Sequence, residues 1–145
     1  MDAAVSSARG LVPALAARAS ETEVLRRLPL ATVSDLTRSG LTRLLQPTSY
    51  GGAGAGAAAH IEVCAALARG CVSTAWCNFV WGVHNFLIGL YPAAVQQEVW
   101  GSDPATLVSA SIGPVGKAEV VDGGVLISGR WGFNSGCDHA AFLLL

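Results

Sequence analysis

Charge is scarce in this chain. Only 13% of its 145 residues are Asp, Glu, Lys or Arg, while 52% are apolar and the mean hydropathy is +0.48; ordinary soluble domains carry about 25% charge. So little charge covers an isolated globule poorly, which leaves two readings: a surface covered by a partner or by further chain, or a segment in a membrane. The net charge is −1 and no run of Lys or Arg occurs, so the clustered cations that phosphate backbones require are missing and a nucleic-acid partner is excluded. Cys64, Cys71, Cys77 and Cys137 form neither a C-x-x-C pair nor a zinc-ligand pattern. They read as small buried residues in a reducing cytoplasm. Asp2 precedes any basic residue, which argues against a signal peptide. No G-x-S-x-G elbow supports a serine hydrolase.

Acidic and basic residues are also missing from Gly70 to Gln97, a stretch long enough to test as a membrane span. It fails on content. Asn78, His84 and Asn85 would need partners in hydrocarbon, Ser73 and Thr74 read as a helix start, and Pro92 opens a further helix just after Gly89. A helix packed between other helices is the better reading, and no membrane association is expected.

What the sequence does contain is helical grammar followed by strand grammar. Apolar spacing from Val5 to Arg26 predicts one or two short helices, with Pro13 tolerable only near a first turn. Thr32 or Ser34 is expected to cap a helix through Ser39, and Gly40 stands where a left-handed residue is wanted. The Ala/Gly run from Gly51 to Ala59 loosely fits a dinucleotide fingerprint. No buried strand precedes it and no acidic residue follows at ribose distance, so it reads as a loop entering a helix over Ala57–Arg69. Ile61, Cys64, Ala65 and Ala68 form the expected apolar stripe of that helix. A second helix from Ser73 to about Leu90 is apolar nearly all round, as a central core helix would be, and a short one follows from Pro92 to Gly101. Strands are expected at Ala105–Ile112, Lys117–Val121 and Val125–Trp131, with Asp122-Gly123-Gly124 as a hairpin turn. The last residues, AAFLLL, read as a strand buried on both faces. Helices first and strands after, without alternation, give an α+β class: residues 1–103 helical, residues 104–145 the β-part. Four strands with unprotected edges make the chain read as incomplete.

Polar groups stand out at two places. His84-Asn85 lies in the middle of the core helix, where a buried histidine is either a satisfied core residue or one that polarises or deprotonates a substrate hydroxyl. The run Trp131-Gly-Phe133-Asn-Ser135-Gly136-Cys-Asp138-His139 ends a strand with two aromatics and then a hydroxyl at a bend. It suits either a flat aromatic ligand or a polar turn over a core. Asp138 and His139 have no third ligand in view, so no metal site is proposed.

These motifs, together with Pro47-x-x-Tyr50-Gly51-Gly52 and Leu67-Ala-Arg-Gly-Cys-x-Ser73-Thr-Ala-Trp76, resemble the acyl-CoA dehydrogenase-like flavoproteins. Gly82-Val-His84-Asn85 and Ser128-Gly-Arg-Trp131-x-Phe133-x-Ser135-Gly136-x-Asp138-His139 resemble most the oxygenase component of two-component flavin-dependent monooxygenases, of the p-hydroxyphenylacetate hydroxylase and dibenzothiophene monooxygenase type. The resemblance implies a helical N-terminal domain over 1–103 and the first strands of a barrel-like middle domain over 104–145. It implies reduced flavin, FMN or FAD, supplied by a separate flavin reductase, with one oxygen atom passed to an aromatic or polycyclic substrate. Carried over by position, Trp131, Phe133 and Ser135 would bind the flavin. His84 and Ser111 would be catalytic, with Ser109 a weaker substitute for Ser111.

The resemblance further implies a homo-oligomer, a tetramer in the full-length form, and a C-terminal helical bundle beyond this chain, so the chain alone is expected to be inactive. Where acyl-CoA dehydrogenases carry an acidic T-E-P run, this chain reads Ser109-Ala-Ser-Ile-Gly-Pro-Val-Gly116, which argues against acyl-CoA as substrate. Two alternatives stay open: an acyl-CoA dehydrogenase of the same fold, and a non-catalytic remnant that binds a sibling subunit through apolar faces.

Overall fold

Ala8 and Leu15 recur on one face of the first helix, and both are fully buried against the Val63 and Leu67 face of a later one. That packing organises the helical part. In the computed structural model, which describes residues 2–113 and 115–145, α1 runs Asp2–Ala17, α2 Ala19–Leu25, α3 Leu30–Arg38, α4 Ala57–Ala68, α5 Val72–Ile88 and α6 Ala93–Trp100. Pro114 of the Ser109–Gly116 run lies outside the described residues.

The expected helices are all present, with four corrections. Pro13 lies well inside α1 and not near its start; burial of Ala8 and Leu15 on α4 holds the helix together across the missing N–H. α3 begins at Leu30, straight after Pro29, and Thr32 is a buried residue within it and not a cap. Gly40 adopts the expected left-handed conformation, φ +73°. The stripe of α4 is out of phase with the expectation. Ile61 and Ala65 are exposed, and His60, Val63, Ala66 and Leu67 face inwards. His60 sets this phase, because Gly82 on α5 leaves a hollow that its imidazole fills and Phe79 gives it a carbonyl 3.0 Å away and a stacked ring. Finally, α5 is not covered all round: Trp81, His84, Asn85 and Ile88 are buried, whereas Val72, Trp76 and Phe86 are half exposed or more.

The β-part is leaner than its apolar pattern suggested. β1 is confined to Val108–Ala110 and pairs in parallel with β4, Phe142–Leu144. β2, Lys117–Val121, and β3, Gly124–Ser128, form the expected antiparallel hairpin, with Gly123 at φ +78° in its turn. The hairpin strands are exposed along their whole length. β4 is half-buried on one face only, with Leu143 at 50% exposure, so the expectation of burial on both faces does not hold in this chain. β1 is buried throughout and joins the two parts: Val108 packs with Ile88, Val99 and Trp100, and Phe142 lies against them. Gln46 strengthens the junction by donating to the Tyr50 and Pro104 carbonyls at 2.7 and 3.0 Å. Among the described residues no helix is long and apolar enough to cross a membrane.

Candidate functional site

The exposed side of α5 is not bare surface. Trp76, Phe79, Val80, Val83 and His84 fall at helical spacing along one stripe, and this stripe forms one wall of a cavity of about 550 Å³. The opposite wall comes from the end of β1 and the residues that follow it, Ala110 to Gly113, and from Gly132, Phe133 and Ser135 of the loop after β3. The lining is apolar with a few hydroxyl and imidazole groups, the usual make-up of a site for a flat organic ligand.

Four of the five residues singled out from the sequence meet here: His84, Ser111, Phe133 and Ser135. Trp131 does not. Its ring packs on the hairpin base, where a β-carbon on Gly129 would come within 3.0 Å of it, and it belongs to neither this cavity nor the neighbouring one.

His84 is oriented by the backbone. Its Nδ1 lies 3.0 Å from the Val108 carbonyl, an acceptor, so Nδ1 carries the proton and Nε2 keeps a lone pair. Burial pushes this imidazole below the ordinary histidine range, and the Val108 bond opposes the shift only in part. It is therefore a neutral acceptor at neutral pH. The neighbouring Asn85 serves structure: its side-chain N–H donates to the Thr42 carbonyl at 2.9 Å and ties α5 to the turn after α3.

The loop from Gly132 to Gly136 is held from below by β1. Ser109 in β1 and Ser111 just past its end, two residues apart and so on one face of the extended backbone, donate to the Ser135 and Gly132 carbonyls, each at 2.9 Å. Phe133, between those two carbonyls, has a left-handed backbone at φ +57° and a fully exposed ring. A bulky residue in this conformation is an outlier that costs about 1–3 kcal/mol and persists only where the surroundings enforce it. Ser135 turns its Oγ to Trp76, which donates from Nε1 at 3.0 Å. With its acceptor side engaged, the Ser135 hydroxyl has its own proton to offer the cavity.

Trp76, Phe133 and Ser135 also border a second, larger cavity of about 870 Å³, whose far side carries Arg26, Arg27, Glu23 and Asp138. Cys77 lies in its wall. Burial and the nearby Cys71, Asp138 and Cys137 push that thiol up to about 11, so it is no nucleophile at neutral pH. Sequence reasoning missed Trp76 as a site residue, although its four-residue spacing to Val80 and on to His84 was legible. It missed the Ser109 to Ser135 bond as well, for which sequence holds no local signal.

Comparison with known proteins gives this geometry a context. The family model described as acyl-CoA dehydrogenase, N-terminal domain, matches residues 3–102. The chain is 46% identical over 132 residues to the flavin-dependent monooxygenase, oxygenase subunit HsaA, of Mycobacterium tuberculosis, covering 91% of this chain and 34% of that protein. It is 36% identical to the p-hydroxyphenylacetate 3-hydroxylase oxygenase component of Acinetobacter baumannii, covering 93% of this chain and 32% of that protein. Among solved structures, the HsaA monooxygenase from M. tuberculosis superposes with a TM-score of 0.93 at 42% identity over 98% of this chain and 37% of that one. XiaF from a Streptomyces species, in complex with FADH2 and glycerol, superposes with a TM-score of 0.90 at 31% identity over 94% of this chain and 35% of that one. The chain spans about a third of the length of the curated relatives it matches.

Proposed function

The chain belongs to the acyl-CoA dehydrogenase family through its N-terminal domain, and from that premise we propose that it builds one wall of the active site of a flavin-dependent monooxygenase, the oxygenase component of a two-component system. The flavin arrives reduced from a partner flavin reductase, and the substrate is a small phenol or related aromatic. The observation that carries this reading is the cavity in which an oriented neutral His84 and Ser111 share one apolar space with Phe133 and Ser135. Its relatives are named as oxygenases acting with flavin or on aromatic compounds.

The residues present fit a reduced flavin. An uncovered aromatic ring at Phe133 offers a packing face for a flat heterocycle. Ser135, already accepting from Trp76, has a hydroxyl proton to donate to a ring nitrogen or carbonyl. Reduced flavin, when bound, supplies the electrons that activate molecular oxygen for transfer of one oxygen atom to the substrate. The chain's own groups act around it. His84 Nε2 accepts a hydrogen bond from a phenolic hydroxyl and draws off its proton, which makes the ring more electron-rich. Ser111, with its proton committed to Gly132, has lone pairs to offer a second hydroxyl on a substrate that carries one. Phe79, Val80 and Val83 pack on its carbon skeleton and exclude water. Trp131 acts from outside the cavity by anchoring the start of the loop.

Anaerobic titration of the protein, with any sequence that follows this chain in its gene, against photoreduced FMN and FAD, read by tryptophan fluorescence, tests the cofactor. Saturable binding that Ser135→Ala weakens is expected, and no binding of either flavin would sink the proposal. A reductase-coupled assay on a panel of phenols, run with any sequence that follows this chain in its gene, tests the reaction. Oxygen uptake with hydroxylated product that His84→Ala abolishes is expected. Reduction of an electron acceptor by an acyl-CoA would instead return the protein to the dehydrogenases of its family.

A further inference from the structure

We infer that Ser109 is a positioning residue that sets the strained loop presenting Phe133 and Ser135 to the cavity. The inference rests on the flavin reading above, yet its structural half can be tested without flavin. Ser109 is fully buried in the middle of β1 and lines neither cavity, so it touches no ligand. Its hydroxyl reaches two groups of the loop at once, the Ser135 carbonyl at 2.9 Å and the Asn134 side-chain amide. One hydroxyl proton serves one acceptor. Given to the Ser135 carbonyl, it leaves the oxygen lone pairs to the amide, which satisfies them when its NH2 turns inward.

Ser109 thus pins the Asn134 side chain and the Ser135 carbonyl, both on the far side of Phe133. Ser111 pins the Gly132 carbonyl on the near side of Phe133 at 2.9 Å. With both ends of the segment held by β1 and the residue just past its end, Phe133 between them absorbs the mismatch. It sits at φ +57° with its ring driven outward. The same fixation places Ser135 Oγ under the Trp76 indole N–H, so Ser109 acts on the cavity through Ser135.

The four tryptophans supply a reporter. In a 15N-labelled chain, Ser109→Ala is expected to shift the Trp76 indole N–H resonance, assigned through Trp76→Phe, while those of Trp100 and Trp131 stay in place and report an intact fold. Reduced-flavin affinity is expected to fall roughly tenfold, the effect of losing one well-formed hydrogen bond. Where Ser109→Ala does not fold, Asn134→Ala removes the other partner of the same contact and is expected to give the same Trp76 shift. An unmoved Trp76 resonance in a folded variant overturns the inference, whatever happens to flavin. A moved resonance with unchanged affinity also overturns it, because the loop geometry then has no bearing on the cavity. Should the wild-type chain bind no flavin, the proposed function falls, and the Trp76 shift alone decides whether Ser109 positions the loop.

Discussion

Placing a methyl group on Gly136 puts the site loop and the core in direct competition. Gly136 has φ +77°, and a β-carbon there would lie 2.5 Å from Nε1 and 2.7 Å from Cε2 of the Trp81 indole. That indole is fully buried and has the edge of the His139 ring against it, so it cannot swing aside cheaply. The left-handed backbone alone costs an alanine about 1 kcal/mol. Crowding a packed ring adds about 1–3 kcal/mol. Keeping the loop docked therefore costs about 2–4 kcal/mol in total.

Releasing the loop breaks its bonds to Ser109, Ser111 and Trp76, each worth about 1 kcal/mol net. Release also returns part of that cost as backbone entropy. Release is the cheaper response. Gly136→Ala should therefore leave the helical part folded and lower Tm by roughly 6 °C, a net loss of about 2 kcal/mol in a chain of this size. The Trp76 indole resonance should shift, and reduced-flavin affinity should fall by roughly tenfold or more. Thermal unfolding by circular dichroism, the indole spectrum and the flavin titration read the three effects separately. An alanine variant with unchanged Tm and an unmoved Trp76 resonance would refute the reasoning, since it would mean the loop never approached Trp81 as closely as described.

Three further outcomes are expected. Gly82→Ala puts a β-carbon 2.5 Å from His60 Nε2; despite the gain in helix propensity it should destabilise by about 1–3 kcal/mol, and adding His60→Ala should recover part of the loss in a double-mutant cycle of urea unfolding. Asn85→Ala strips the buried Thr42 carbonyl of its donor and should cost about 2–3 kcal/mol by the same assay, and an unchanged urea midpoint would count against the bond. Burial holds both His60 and His84 below the unfolded histidine value. The unfolded chain therefore binds more protons on acidification. Stability is complete above about pH 6.5 and declines as the pH falls through the folded values. A urea midpoint that drops between about pH 7.5 and pH 5.5 is expected, and one that rises would overturn the assignment of these imidazoles as buried and neutral.

Much of this structure could be read from local sequence, and the exceptions share a cause. Gly40, the Asp122-Gly123-Gly124 turn and the α5 and α6 boundaries follow rules that act over a few residues. The Ala/Gly run is a loop entering α4, as its surroundings argued. The phase of α4 escaped because His60 counts as polar in any periodicity, and only the hollow at Gly82 makes it an inward residue. The interior Pro13 and the early start of α3 escaped because packing overrides propensity at a helix interior and end. The stripe Trp76, Val80, His84 was visible, but an almost wholly apolar helix gives no hint of which face borders a cavity. The gathering of His84, Ser111, Phe133 and Ser135 was reached through resemblance. The bonds that assemble them cross from β1 to a loop more than twenty residues away, a range at which sequence patterns are silent.

The parallel pairing of β1 with β4 also orders events in time. Val108 meets Phe142 only when a loop of about 34 residues is closed, at an entropic cost of about 3 kcal/mol beyond the fixed term. The helices need only near neighbours and form early, whereas contacts of long sequence separation slow folding. As the chain leaves the ribosome, α1 to α6 can settle while β1 still lacks its partner strand. The wall carrying His84 then exists before the wall carrying Ser135, and the pocket closes as a late event, when Phe142–Leu144 docks. A sluggish phase in refolding should therefore coincide with the gain of ligand binding and not with the gain of helix.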